Sequence, residues 1–281
     1  MTAPTPRLND CYLALGFKST PFSILPDTSM FFLNGPHVSA YDNLRFAMQG
    51  GLVAVLTGEV GLGKTLVSRL LLRNLPNNVH AALLINPLLS YSEILSAIYK
   101  DLTGKTAFNQ GSLGLTHDLL LAFALQCASR GEYLVVLVDE AHKLSAEALE
   151  GLRLLSNLET EQRKLISLVL IGQPELEKTL SFRAMRPLRQ RVGVWCRLRA
   201  MTRSESVLYV QHRMSLARNT GNTHFSTWAM YLIYHYTKGV PRRINLLCER
   251  ALLLAFATGQ ERIGWSMVRR AAAEMGPRRP V

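Results

Sequence analysis

Residues 58–65 read Gly58-Glu59-Val60-Gly61-Leu62-Gly63-Lys64-Thr65, the types and spacing of a loop that cradles phosphate. Its glycines let backbone N–H groups turn inward onto phosphate oxygens. Lys64 brings a point charge to β- and γ-phosphates, and the Thr65 hydroxyl is a ligand for Mg²⁺. The expected nucleotide-contacting stretch is Gly58, Glu59, Val60, Gly61, Leu62, Gly63, Lys64, Thr65 and Leu66.

A second constellation is Tyr133-Leu134-Val135-Val136-Leu137-Val138-Asp139-Glu140-Ala141-His142. An apolar strand here runs into two acids at its carboxyl end, the edge where open α/β sheets bind ligands. Asp139 is expected to hold Mg²⁺ directly or through water. Glu140 is expected to orient and deprotonate an attacking water. His142 either couples the acids to a subunit interface or packs, and packing is the simpler reading. Together the two motifs imply nucleotide hydrolysis. No Asn-Lys-x-Asp run that would read guanine follows, which favours ATP over GTP.

Three further places could complete such a site. Gln173, in Leu170-Ile171-Gly172-Gln173-Pro174, sits where a side chain can sense a γ-phosphate. Arg186, Arg189 and Arg191 follow a helix, and one of them could reach a neighbouring subunit's nucleotide. Gly239-Val240-Pro241-Arg242-Arg243 opens a helix from which an arginine can touch the γ-phosphate of its own subunit. Such an arginine neutralises charge that develops on the transferred phosphoryl group. For each arginine a surface ion pair or polyanion contact is the alternative.

The elements that must position these residues follow from pattern. Residues 52–56 are an apolar run before the loop, and 65–73 have helical character ahead of Pro76. Further strands are expected at 81–86, 133–138, 165–171 and 192–198. Helices are expected near 41–48, 91–103, 115–129 and 145–157. Strands alternating with helices imply a parallel sheet covered on both faces. After Arg199 only helices are expected, at 205–218, 227–236, 241–257 and 266–274. The fold class is therefore α/β, a five-stranded parallel P-loop core followed by a small all-helical lid. The expected boundaries are 1–38 for an irregular Pro- and Phe-rich segment lying on the core, 39–200 for the core and 201–281 for the lid.

Composition sets outer limits. The 281 residues are 48% hydrophobic, enough for one large or two smaller domains. No apolar run reaches ~18 residues, so no transmembrane helix is expected. Residues 1–7 have no apolar signal region. Cys11, Cys127, Cys196 and Cys248 show no metal-ligand spacing and read as reduced, buried thiols of a cytosolic protein. Charge is uneven. Residues 1–182 hold 14 Lys/Arg against 16 Asp/Glu, a net −2, and residues 183–281 hold 18 against 4, a net +14. That third suits a polyanionic neighbour, whether nucleic acid, anionic lipid or an acidic protein face. Arginines that serve nucleotide and subunit contacts explain it equally well.

On these residues the chain resembles the AAA+ ATPases of the ExeA (general secretion pathway protein A) family, with the MshM-like members of MSHA-type pilus biogenesis nearest. The resemblance rests on Pro21-Phe22, the loop at 58–65, Asp139-Glu140-Ala141-His142, Asn157-Leu158-Glu159-Thr160-Glu161 and Gly172-Gln173-Pro174-Glu175-Leu176. Leu188-Arg189-Gln190-Arg191 and Gly239-Val240-Pro241-Arg242-Arg243-Ile244-Asn245 complete it. It implies an ATP- and Mg²⁺-dependent ring or dimer that assists a type IV pilus or type II secretion assembly. The implied location is cytoplasmic and peripheral to the inner membrane, with an inner-membrane assembly protein as partner. ATP is expected between core and lid, with hydrolysis changing the lid angle. ExeA-like members carry a transmembrane helix and a peptidoglycan-binding domain after the ATPase. Neither precedes Val281, so direct peptidoglycan binding is not expected. The resemblance ranks Arg191 first and Arg189 second as arginine finger, although Pro187 departs from the family run. It sets Arg242 at the lid sensor position. The rival reading is a DNA-binding AAA+ regulator of the transposition type.

Overall fold

A strand buried on both faces must be apolar throughout, and the chain supplies several such runs. The computed structural model describes residues 8–25, 27–32, 35–85, 88–105 and 113–275. In chain order the elements are α1 (Leu8–Ala14), α2 (Pro36–Gln49), β1 (Val53–Thr57), α3 (Lys64–Arg73), β2 (Val79–Leu84), α4 (Tyr91–Thr103), α5 (Leu113–Ser129), β3 (Tyr133–Val138), α6 (Ala146–Leu155) and β4 (Ile166–Gly172). They continue with α7 (Glu175–Ser181), α8 (Arg186–Arg191), β5 (Val192–Arg197), α9 (Arg203–Ala217), β6 (His224–Phe225), α10 (Thr227–Thr237), α11 (Pro241–Thr258), β7 (Arg262–Ile263) and α12 (Trp265–Glu274). The chain divides into two compact units. One holds 37–60 and 64–199, and the other holds 1–36, 61–63 and 200–281.

The α/β unit is a five-stranded, all-parallel sheet in the order β2-β3-β4-β1-β5. Interior strands β1 and β4 are buried at every residue, while edge strand β5 alternates. The core gathers Val55, Ile94, Leu120, Val136, Leu149 and Leu170 with their neighbours. Ser90 caps α4 with a reciprocal Glu93 contact, and Ser145 caps α6. The expected strand at 81–86 is β2, two residues earlier, and Asn86 lies outside the described residues. Arg186, Arg189 and Arg191 follow helix α7 as expected, and they sit on a further short helix, α8, which Pro187 starts at its first turn.

The helical unit is built on α9 to α12, with the two-residue strands β6 and β7 paired in parallel. Thr202 and Glu205 form a reciprocal cap at the start of α9. The N-terminal segment belongs to this unit. Tyr12, Phe17, Phe22 and Phe32 share its core with Met214, Ile244 and Leu252. The expectation placed residues 1–38 on the α/β core; the described residues of 8–36 instead belong to the helical unit, and they include helix α1 rather than being irregular throughout. The physical reason is a matched polar net. Buried Arg213 donates to the carbonyls of Pro21 (2.7 Å) and Ser23 (3.0 Å). Asn245 donates to the Ser23 carbonyl at 3.0 Å and accepts from Tyr209 at 2.8 Å. Burial of Phe17 and Phe22 adds roughly 1.5–3 kcal/mol each. No described helix is long and apolar enough to cross a membrane.

Candidate functional site

Parallel strands end together, so residues just past β1, β3 and β4 meet at one edge of the sheet. There the Lys64 ammonium donates to the carbonyls of Gly58 (2.6 Å) and Glu59 (3.0 Å). Lys64 is buried, and burial lowers its pKa. Glu140, Asp139, Glu59 and Glu175 act against that shift. The Thr65 hydroxyl, at the start of α3, donates to Asp139 Oδ2 at 2.8 Å across 74 residues of sequence. A hydroxyl and a buried carboxylate in contact form a hard-oxygen donor pair, which suits Mg²⁺. Gly61 and Gly63 have φ of 82° and 94°. L side chains rarely enter that region, and it turns successive N–H groups to one side.

The Asp139 carboxylate also accepts the Glu140 N–H at 2.9 Å. Glu140 is one of two non-glycine residues among those described with positive φ (55°). This turn swings its side chain away from the strand. Its carboxylate lies 3.0 Å from Lys143 Nζ and 3.8 Å from His142 Nε2. The Gln173 N–H donates to His142 Nδ1 at 3.3 Å, and the Gln173 side-chain nitrogen is 3.1 Å from Nε2. With Nδ1 accepting, a neutral ring carries its proton on Nε2. A half-turn of the amide offers that proton the carboxamide oxygen. His142 therefore stands between Glu140 and Gln173, more than the packing role read from sequence.

The remaining expected residues distribute as follows. Glu59 and Val60 are exposed, Gly58 and Leu62 buried, and Leu66 half-buried. The Arg242 N–H donates to the Gly61 carbonyl at 3.2 Å, and its side chain is exposed. A Cβ on Gly61 would stand 2.9 Å from Arg242 Cβ, so this loop position requires glycine. Arg243 is half-buried. Arg189 and Arg191 are not brought to the Lys64 edge. Val192 pairs with Val53 at the amino end of the sheet, and Thr57 pairs with Arg197 at the other. The rise over the four residues from Val53 to Thr57 separates the two pairs by about 13 Å. Near Arg191 the Glu159 carboxyl is held below its ordinary range, by Lys164 first and Arg191 last.

One brace has no signal in the sequence. Thr57 Oγ1 donates to Glu177, and Arg197 Nε donates to the same carboxylate at 3.1 Å. Arg197 is the main reason the Glu177 carboxyl sits below its usual range. The three side chains lie at the foot of the phosphate loop. They are 20 and 120 residues apart, and no local pattern announces them.

Similarity to known proteins agrees with this geometry. Residues 47–180 match the family model described as the AAA domain. The chain is 38% identical over 261 residues to general secretion pathway protein A of Aeromonas hydrophila, covering 92% of this chain and 47% of that protein. It thus spans about half the length of that curated relative. Among solved structures, the Aeropyrum pernix ORC1 protein in complex with DNA superposes with a TM-score of 0.65 at 21% identity, over 91% of this chain and 69% of that one. The A. pernix ORC2 protein (ADPNP-ADP complexes) gives 0.62 at 21%, over 85% and 66%. The Thermotoga maritima RuvB Holliday junction branch migration motor gives 0.57 at 19%, over 84% and 68%. With its parallel sheet and phosphate loop, this is a P-loop chain of the AAA+ fold, similar to general secretion pathway protein A.

Proposed function

We propose that this protein binds and hydrolyses ATP, and that hydrolysis drives assembly of a secretion or type IV pilus machine at the cytoplasmic face of the inner membrane. The observation that carries the first half is the contact of Thr65 with Asp139 beside Lys64 and Glu140. Thr65 and Asp139 would hold Mg²⁺, which when bound offsets negative charge on the phosphates. Lys64 supplies a cation to the β- and γ-phosphates. Glu140 takes the proton of a water whose oxygen bonds to the γ-phosphorus while the bond to the β-phosphate oxygen breaks. His142 and Lys143 orient the Glu140 carboxylate, and Gln173, through His142, links it to the end of β4. Arg242 is the candidate contact to the γ-phosphate of its own subunit, and Arg191, then Arg189, the candidate finger for a second subunit. Placement at the far end of β5 supports a role in trans, since Arg191 is too far from its own Lys64 edge. The secretion and pilus half rests on similarity to general secretion pathway protein A and on the MshM-like run of motifs.

The test is a steady-state ATPase assay with Mg²⁺, with binding of a fluorescent ATP analogue measured in parallel. Glu140→Gln is expected to lower turnover about 10²–10⁴-fold while nucleotide affinity stays within about threefold. Turnover that survives in the variant would remove Glu140 from its role. A rise in mass by light scattering with a non-hydrolysable analogue is expected for the homo-oligomer.

The net +14 of residues 183–281 favours one rival, a DNA-binding regulator of the transposition type. Backbone phosphate contacts would make duplex binding fall steeply with salt. No ATP-dependent duplex binding even at low salt would exclude it.

A further inference from the structure

At the end of the sheet opposite the phosphate loop, three donors of different chemistry meet: an imidazole from β2 (His80), a thiol from α5 (Cys127) and a carboxylate from the turn before β3 (Glu132). Their ligand atoms all lie within 4.8 Å of one another. The backbone builds this meeting. Helix α5 ends in a paired closure, with the Glu132 N–H donating to the Cys127 carbonyl (2.9 Å) and the Gly131 N–H to the Ala128 carbonyl (3.1 Å). Gly131 has φ 75°, as the left-handed residue of that closure requires. In such a closure the residues at the positions of Cys127 and Glu132 face each other, and an apolar pair usually fills them. Here a thiol and a carboxylate occupy those places. Pairing of β2 with β3 then brings His80 alongside, its Nε2 3.0 Å from Glu132 Oε2. The Phe123 ring packs edge-on against the imidazole at 5.9 Å and fixes its plane.

We propose that His80, Cys127 and Glu132 form a zinc-binding site that ties the end of α5 to strands β2 and β3. An N, S and O donor set suits Zn²⁺, whereas Mg²⁺ and Ca²⁺ take oxygen ligands. Tetrahedral zinc places its ligand atoms about 3.6 Å apart, so each of the three moves by about 1 Å or less. Water takes the fourth position of such a site. It has access here, since His80 is 38% exposed and Glu132 24%. Binding replaces the thiol proton, which leaves to solvent as the Zn–S bond forms. Without metal the same groups satisfy one another. The Cys127 thiol is pushed up to about 11, by burial first and then by Glu132, with Arg130 the nearby cation acting in the other direction. The nucleotide reading plays no part in this site, and either can fail alone.

Titration of the full-length protein with Co²⁺ tests the proposal, because a thiolate ligand gives a near-ultraviolet charge-transfer band that the oxygen ligands Thr65 and Asp139 cannot give. One equivalent is expected to saturate the band. Cys127→Ser should abolish it, His80→Gln should weaken binding by at least about tenfold, and Cys196→Ser should leave it unchanged. Zn²⁺ should raise the melting temperature of the wild type but not of Cys127→Ser. Melts without metal establish that each variant is folded, and His80→Gln serves if Cys127→Ser is not. Absence of the band in the wild type, or a band that persists through both Cys127→Ser and His80→Gln, overturns the proposal.

Discussion

The two ends of the parallel sheet use the same devices for different purposes. At the carboxyl end, Gly61 and Gly63 turn backbone N–H groups to one side of a loop, and Thr65, Asp139 and Glu140 collect around a buried lysine. At the amino end, Gly131 closes a helix so that Cys127, Glu132 and His80 collect around one another. The carboxyl end holds a cation whose charge is unfavourable by burial and sustained by acids. The amino end is self-satisfied, with imidazole and thiol both bonded to one carboxylate. The carboxyl end thus keeps a charge in reserve, as the proposed nucleotide reading requires, while the amino end spends its groups on one another. Arg191 also belongs to the amino end, which is why its proposed target must come from another subunit.

The comparison can be broken most sharply at Arg191. If it acts in trans, Arg191→Ala should lower turnover by roughly 10³-fold with nucleotide affinity unchanged. Mixing it with Lys64→Ala subunits should recover part of the activity, because each variant supplies what the other lacks. Equal loss of binding and turnover would place Arg191 in a purely structural role.

The reserve charge itself is tested next. Lys64→Ala should weaken ATP binding by roughly 10- to 100-fold in a fluorescence titration. The melting temperature without nucleotide should hold or rise, since a buried cation has been removed. A large fall in melting temperature would mean that the ammonium mainly braces Gly58 and Glu59.

A smaller effect separates the two glycine turns. A Cβ on Gly131 meets nothing within 4 Å, so Gly131→Ala carries only backbone strain. The expected cost is about 1 kcal/mol, or about 2–4 °C in melting temperature, with ATP turnover untouched.

The smallest effect is in pH. The Glu132 carboxyl is held below its ordinary value of 4.5, first by its bond with His80. A depressed carboxyl stabilises the fold fully above 4.5 and loses that contribution as pH falls through its lower folded value. Glu132→Gln should therefore lose less stability than the wild type on acidification, as read by denaturant melts. Parallel pH curves would show that the pair contributes nothing.

Much of the carboxyl end was legible in the chain because its chemistry is local. Gly58 to Thr65 is one contiguous loop, and Asp139-Glu140 directly follows an unbroken apolar strand. Strands β1, β3, β4 and β5 lie within one residue of their expected ends for the same reason. Three features were not legible. Residues 12–32 lack any periodicity that says which unit they cover, and their place follows from Arg213 and Asn245, about two hundred residues on. His142 looks like any packed histidine until Gln173 is folded against it. Cys127 and Glu132 are five apart, but His80 joins them only through the pairing of β2 with β3.

Sequence alone thus determined the phosphate loop, its acids and the alternation of strand and helix, because backbone turns and side-chain periodicity depend on near neighbours. Tertiary structure alone decided which distant polar groups meet. That choice depends on sheet register, and shifting β2 by one residue would carry His80 to the opposite face, away from Glu132.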